Sequence, residues 1–95
     1  MQPATTAVNQ VARQVANTLA VTIPATVVFD AIARMWTVQT RIRSQRHELL
    51  IPNTVGEPFS TWRNGWYVGP LDARLGETTP AEVAARFLAV VSPAT

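Results

Sequence analysis

Apolar positions recur at helical spacing along much of this chain. Val8, Val11, Val15 and Leu19 step by three, four and four, which gathers them on one side of a helix over about residues 6–20. Ala12 and Ala16 flank the stripe and permit close approach of a neighbour. Pro3, Thr5 and Thr6 supply start signals. A helix of this length is marginal alone, so the stripe must dock to persist.

Thr22-Ile23-Pro24 interrupts the pattern, and Pro24 suits the first position of a new helix, where its missing N–H costs nothing. From there Val28, Ile32, Met35, Gln39, Ile42, Arg46 and Leu49 alternate steps of four and three. That heptad seam predicts a second helix over about 24–50. Val27, Phe29, Ala31 and Trp36 widen the apolar surface at its start, so the helix begins apolar all round and ends amphipathic and basic. Pro52 stops it, and residues 53–58 read as a loop.

Asn64-Gly65 stands between β-forming residues, a strong hairpin signal because both turn positions require positive φ. The hairpin covers about 59–68. A two-residue turn pairs Arg63 with Trp66, Trp62 with Tyr67 and Thr61 with Val68, and sends Trp62 and Trp66 to opposite faces. Next, Thr79-Pro80-Ala81-Glu82 has the form of a capping box with proline at the first helical position. Val83, Ala84, Phe87, Leu88 and Val91 then stripe a third helix over about 80–91, ended by Ser92-Pro93. The expected fold is mostly α: one small helical domain over residues 1–95, with three helices and a hairpin insertion.

Composition adds a reason to expect a partner. The chain has 95 residues, room for one domain with a modest core. It is 47% hydrophobic and only 15% charged, with a mean hydropathy of +0.10. About a quarter of an average soluble domain is charged. Apolar surface should therefore remain after one copy folds, and such surface marks an interface. Cysteine is absent, which excludes disulfides and thiolate metal sites. The longest uncharged run, Gln14–Phe29, carries Gln14, Asn17 and Pro24 and is too polar for a bilayer span. With no basic n-region at the start, the expected location is cytoplasmic or virion-internal and not secreted, with no membrane partner.

Charge is unevenly placed. Only Arg13, Asp30 and Arg34 are charged between Met1 and Thr40; then Arg41, Arg43, Arg46 and His47 arrive together. All eight basic residues are arginine, yet the net charge is only +2, which by itself does not single out nucleic acid.

Little here supports catalysis. His47 is the one histidine, its arginine neighbours disfavour its protonated form, and Glu48 is the only adjacent carboxylate. No spacing assembles a nucleophile triad, a metal-ligand set or a phosphate loop. The reading is a non-enzyme without catalytic residue, metal, cofactor or small-molecule substrate.

The function expected is a protein-interaction or assembly module, acting as a homo-oligomer or as a subunit or accessory protein of a larger complex, a viral one included. Its partner is itself or another protein. Val8, Val28, Ile32, Trp62, Arg63 and Trp66 are the interface candidates, since tryptophan and arginine are enriched where interfaces concentrate their binding energy. The alternative is nucleic-acid binding. Val11–Met35 loosely fits a helix-turn-helix with a wing at Trp62–Tyr67, but Pro24–Phe29 would offer base edges only Thr26. Phosphate gripping by Arg41, Arg43, Arg46 and His47 is the better form of that alternative. A third reading has an inhibitor-like protein docking the tryptophan hairpin into a target.

Overall fold

The computed structural model of the chain describes residues 4–91, with side chains from Val8 onward. Helix α1 (Ala4–Leu19) leads into five strands: β1 (Thr26–Asp30), β2 (Met35–Ile42), β3 (Gln45–Leu50), β4 (Pro58–Arg63) and β5 (Trp66–Arg74). Helix α2 (Pro80–Val91) follows. The strands form one antiparallel meander in the order β1-β2-β3-β4-β5, so β1 and β5 are its two edges. Of the sequence signals, Pro3 and Ser92-Pro93 lie outside the described residues, and the side chains of Thr5 and Thr6 lie outside those described.

The mostly helical expectation is overturned. Residues 24–50 are not a second helix but contain β1, β2 and β3. The segment is dense in β-branched and aromatic residues: Thr26, Val27, Val28, Phe29, Trp36, Thr37, Val38, Thr40 and Ile42. Such side chains fit a pleated, half-buried surface better than a helix. The heptad seam mixed positions that point to opposite faces of a sheet. The actual period is two: Val38 and Thr40 are buried on the same side as His47, Leu49 and Ile51. The helix-turn-helix reading falls with that helix, because Thr26–Asp30, which should have begun a recognition helix, is an edge strand.

The turns explain why the strands were hard to see. Asp30 bends the chain after β1 by accepting the Ile32 and Ala33 N–H groups on Oδ1, both at 3.0 Å. Arg34, Arg43 and Ser44 then take left-handed conformations, with φ of 57°, 52° and 69°. None is glycine or asparagine, so neither hairpin announces itself. By contrast, Asn64-Gly65 turns between β4 and β5 with Arg63↔Trp66 and Trp62↔Tyr67 paired. A bulge then shifts the register, so Thr61 meets Gly69 instead of Val68. At α2, Thr79 Oγ1 accepts the Glu82 N–H at 3.2 Å, the N-cap bond its sequence implies.

Both helices pack on one face of the sheet. Val8, Ala12, Val15, Ala16 and Leu19 from α1 meet Val83, Ala84, Phe87 and Val91 from α2. Beneath them lie Val38, Leu49, Ile51, Phe59, Leu71, Ala73 and Leu75. The hidden charge-poor N-terminal half is thus partly explained within one copy: α1 spends its stripe on this core. The molecule is elongated, 45 × 26 × 21 Å. The β2–β3 and β4–β5 turns share one end, where Asn64 N–H donates to the Arg46 carbonyl at 2.8 Å. The β1–β2 and β3–β4 connections share the other, where Asn53 Nδ2 donates to the Arg34 carbonyl at 2.9 Å.

Candidate interaction surfaces

The first surface is the free edge of β1. In an antiparallel sheet, successive residues send their N–H and C=O groups to alternate sides. Ile51 N–H donates to the Trp36 carbonyl at 2.9 Å, so Trp36 faces β3 and its neighbours Met35 and Thr37 face β1. Their register partners are Asp30 and Val28. Val27 and Phe29 must therefore aim their backbone groups away from β2, into the open edge. The side chains beside that edge are unusually apolar. Ile32 is 97% exposed, Phe29 48% and Val28 37%. Phe29 meets Trp36 edge-on at 5.1 Å between ring centroids, which leaves its other half bare.

The other edge differs. Pro70 in β5 has no N–H to offer, the Thr61/Trp62 bulge distorts the ladder, and Asp72 and Arg74 bring charge. Prolines, bulges and charges are what keep an edge strand from pairing. β1 carries none of these before Asp30.

The second surface is the end formed by the two hairpin turns. Arg41 and Arg46 lie directly opposite one another across β2 and β3. That position is a non-hydrogen-bonded pair, the closer type, because Arg46 directs its carbonyl to Asn64 on the other side. Arg43 occupies the turn itself, and Arg63 pairs with His47 on one side and Trp66 on the other. Glu48 is the one carboxylate at this end. It accepts Gln39 Nε2 at 2.8 Å and lies 3.8 Å from Arg46 Nε. A shallow hollow of about 280 Å³ lies between Pro24, Thr26, Gln39, Thr40, Arg41 and Arg46.

The residues singled out from sequence distribute as follows. Val8 is buried in the α1 stripe. Val28 and Ile32 are exposed on and just beyond β1, some distance in register from Trp62, Arg63 and Trp66 on the last hairpin. Trp62 and Trp66 do point to opposite faces, yet neither enters the core. Trp62 is half-buried against Tyr67, ring centroids 5.3 Å apart, with its Nε1 enclosed and unpartnered. Trp66 is 78% exposed, because the sheet there extends past the helices. Arg41, Arg43 and Arg46 come together, but across a hairpin and not along a helix. His47 parts from them: its side chain is buried beside Thr40 on the helix-covered face. Burial first, and the Arg63 guanidinium second, lower its pKa below the ordinary 6.5. It stays neutral at pH 7 and adds no charge to the arginine cluster.

The edge groups of Val27 and Phe29 were not legible from sequence, since a helix satisfies its own backbone. The signal available was Thr26-Val27-Val28-Phe29, four strand formers in a row.

Among the described residues no group of three or more histidine and carboxylate side chains is placed to hold a metal, and no helix is long and apolar enough to cross a membrane. Comparisons with known proteins return no match: no protein-family model fits the chain, and no curated protein or solved structure is significantly similar to it.

Proposed function

We propose that this protein is a non-catalytic assembly module that pairs with a second copy of itself through β1. The observation that carries the reading is the unguarded β1 edge, where among the described residues the outward backbone groups of Val27 and Phe29 have no strand partner and Val28, Phe29 and Ile32 are exposed. Unpaired edges of this kind recruit another strand, since main-chain bonds supply affinity and the alternate side chains supply fit.

Self-pairing is supported by how β1 reads against its own reverse. In an antiparallel register centred on Val28, each Val27 faces the partner's Phe29, so the outward backbone groups meet as two hydrogen-bonded pairs. Val28 faces the partner's Val28 as the close non-hydrogen-bonded pair, and Thr26 faces the partner's Asp30. No like charges are opposed, and the arrangement is two-fold, the commonest symmetry of homo-oligomers. It joins two meanders into one ten-stranded sheet.

Five residues form a short seam, well under the roughly 1,200 Å² that specific stable interfaces bury. The association is accordingly weak and concentration-dependent, suited to a component held in place by many copies or by a larger complex. The proposed setting is the cytoplasm or a virion interior.

Amide hydrogen exchange across a concentration series tests this. The Val27 and Phe29 amides should gain protection as dimer forms, while the amides already bonded within the sheet stay unchanged. Fast exchange at Val27 and Phe29 at every concentration, in a chain that sediments as a monomer throughout, contradicts self-pairing. Protection that appears only with a different protein replaces the second copy by that partner.

A further inference from the structure

The hairpin-turn end does something the β1 edge does not require. Its arginines, Arg41, Arg43, Arg46 and Arg63, are half of the protein's basic residues, against Glu48 alone. The other five carboxylates sit elsewhere: Asp30 at the far end of β1, Glu57 before β4, Asp72 in the second half of β5, and Glu77 and Glu82 around the start of α2. The hairpin-turn end is thus net +3 and the remainder net −1, within a total of +2.

This segregation has a local cost. Like charges directly opposite on neighbouring strands destabilise a sheet, and Arg41 faces Arg46 at the close type of pair. Glu48 neutralises only one of the two, through Arg46. A second feature sits beside the charge. Trp66 presents most of its ring to solvent one strand from Arg63, at the tip, beyond the reach of the helices. Trp66 shares its face of the sheet with its pair partner Arg63, whereas Arg41 and Arg46 point to the opposite face, so this end carries charge on both sides of the tip.

We infer that this end binds single-stranded nucleic acid, the arginines taking backbone phosphates and Trp66 taking the face of a base. Three strands spaced about 4.8 Å apart carry Arg41, Arg46 and Arg63 over about 10 Å, with Arg43 in the turn, a track around the tip that meets several phosphates in succession as a flexible strand wraps it. Planar guanidinium groups match phosphate geometry, and an aromatic ring beside a basic track is the recurring platform for unpaired bases. A duplex would engage the arginines but keep its bases stacked inside, out of reach of Trp66. An acidic protein segment would also leave the ring without a flat partner.

The inference is independent of strand pairing through β1, since its arginines and Trp66 lie on β2 to β5 and the β2–β3 turn and none lies on β1. Fluorescence anisotropy with labelled oligo-thymidylate tests it, beside a duplex of equal length and polyglutamate as the other anions. Binding should be measurable at low salt, with log K falling against log salt at a slope of about −2 to −3, as expected for three or four phosphate contacts on a single strand. Trp66→Leu should weaken it about tenfold and leave the slope alone. The double variant Arg41→Gln, Arg43→Asn should weaken it and flatten the slope by about 1.4, asparagine being chosen because it tolerates the left-handed backbone at that turn. Both variants alter exposed side chains, and circular dichroism confirms their fold. Failure to bind oligo-thymidylate at low salt overturns the inference, as does equal affinity for the duplex or polyglutamate, or indifference to Trp66→Leu.

Discussion

Phe29 and Trp36 meet across β1 and β2 with ring planes at 65°, and the contact protects Trp36 more than Phe29. Trp36 has β3 on its other side. Among the described residues Phe29 has no strand on its other side, because β1 is the last strand. An exposed aromatic ring on an edge strand, beside Val28 and the bare Ile32, is the feature from which the assembly reading grows.

The two tryptophans of the last hairpin should separate in their effect on stability. Trp62 packs edge-on to Tyr67 and encloses its own Nε1, so Trp62→Ala should cost about 1–3 kcal/mol in denaturant unfolding. Trp66 is mostly in solvent, and Trp66→Ala should stay within about 0.5 kcal/mol. Equal destabilisation by both would mean that Trp66 is a packing residue, and would remove it from any contact role.

Stability should fall as pH drops through the histidine range. The folded protein holds the pKa of His47 below 6.5, so as pH falls below 6.5 the unfolded chain takes up a proton before the folded one does. The unfolded state is thereby favoured, until the folded pKa is passed and the loss levels off. His47→Gln should flatten the stability profile between about pH 7 and pH 5. A profile unchanged by this substitution would show that His47 is protonated as readily folded as unfolded.

Gly76 marks where the chain leaves β5 for α2. Its φ is 85°, and a Cβ added there would come within 2.8 Å of Val55 Cγ1. Gly76→Ala combines backbone strain with that clash and should destabilise by about 1–3 kcal/mol in chemical unfolding. Adding Val55→Ala removes the clash alone, so the double variant should recover part of the loss relative to Val55→Ala by itself. No recovery would place the whole cost in the backbone.

What the sequence disclosed depended on whether a turn used recognisable chemistry. The α2 helix was legible because Thr79 and Pro80 cap it in the ordinary way, and the Asn64-Gly65 hairpin because that pair is made for positive φ. β1, β2 and β3 were not legible, since Ala31–Arg34 and Arg43-Ser44 turn the chain with residues that usually avoid the task. With those turns unseen, a seven-residue repeat from Val28 to Leu49 imitated a helix. The arginine cluster was visible as a set, but only the strand register shows that Arg41 opposes Arg46, and that His47 turns to the other face, where Arg63 is its partner. An open edge leaves no mark in a sequence until the strand order is known.

The most direct test of self-pairing uses Val28, the one residue that two-fold pairing sets against itself. Sedimentation equilibrium should show Val28→Lys alone and Val28→Glu alone as monomers at concentrations where the native chain dimerises, because each variant opposes like charges at close range. An equimolar mixture of the two should dimerise again, as lysine then faces glutamate. If each single variant associates as the native chain does, or if the mixture stays monomeric while both remain folded, β1 does not pair with β1 and the account fails.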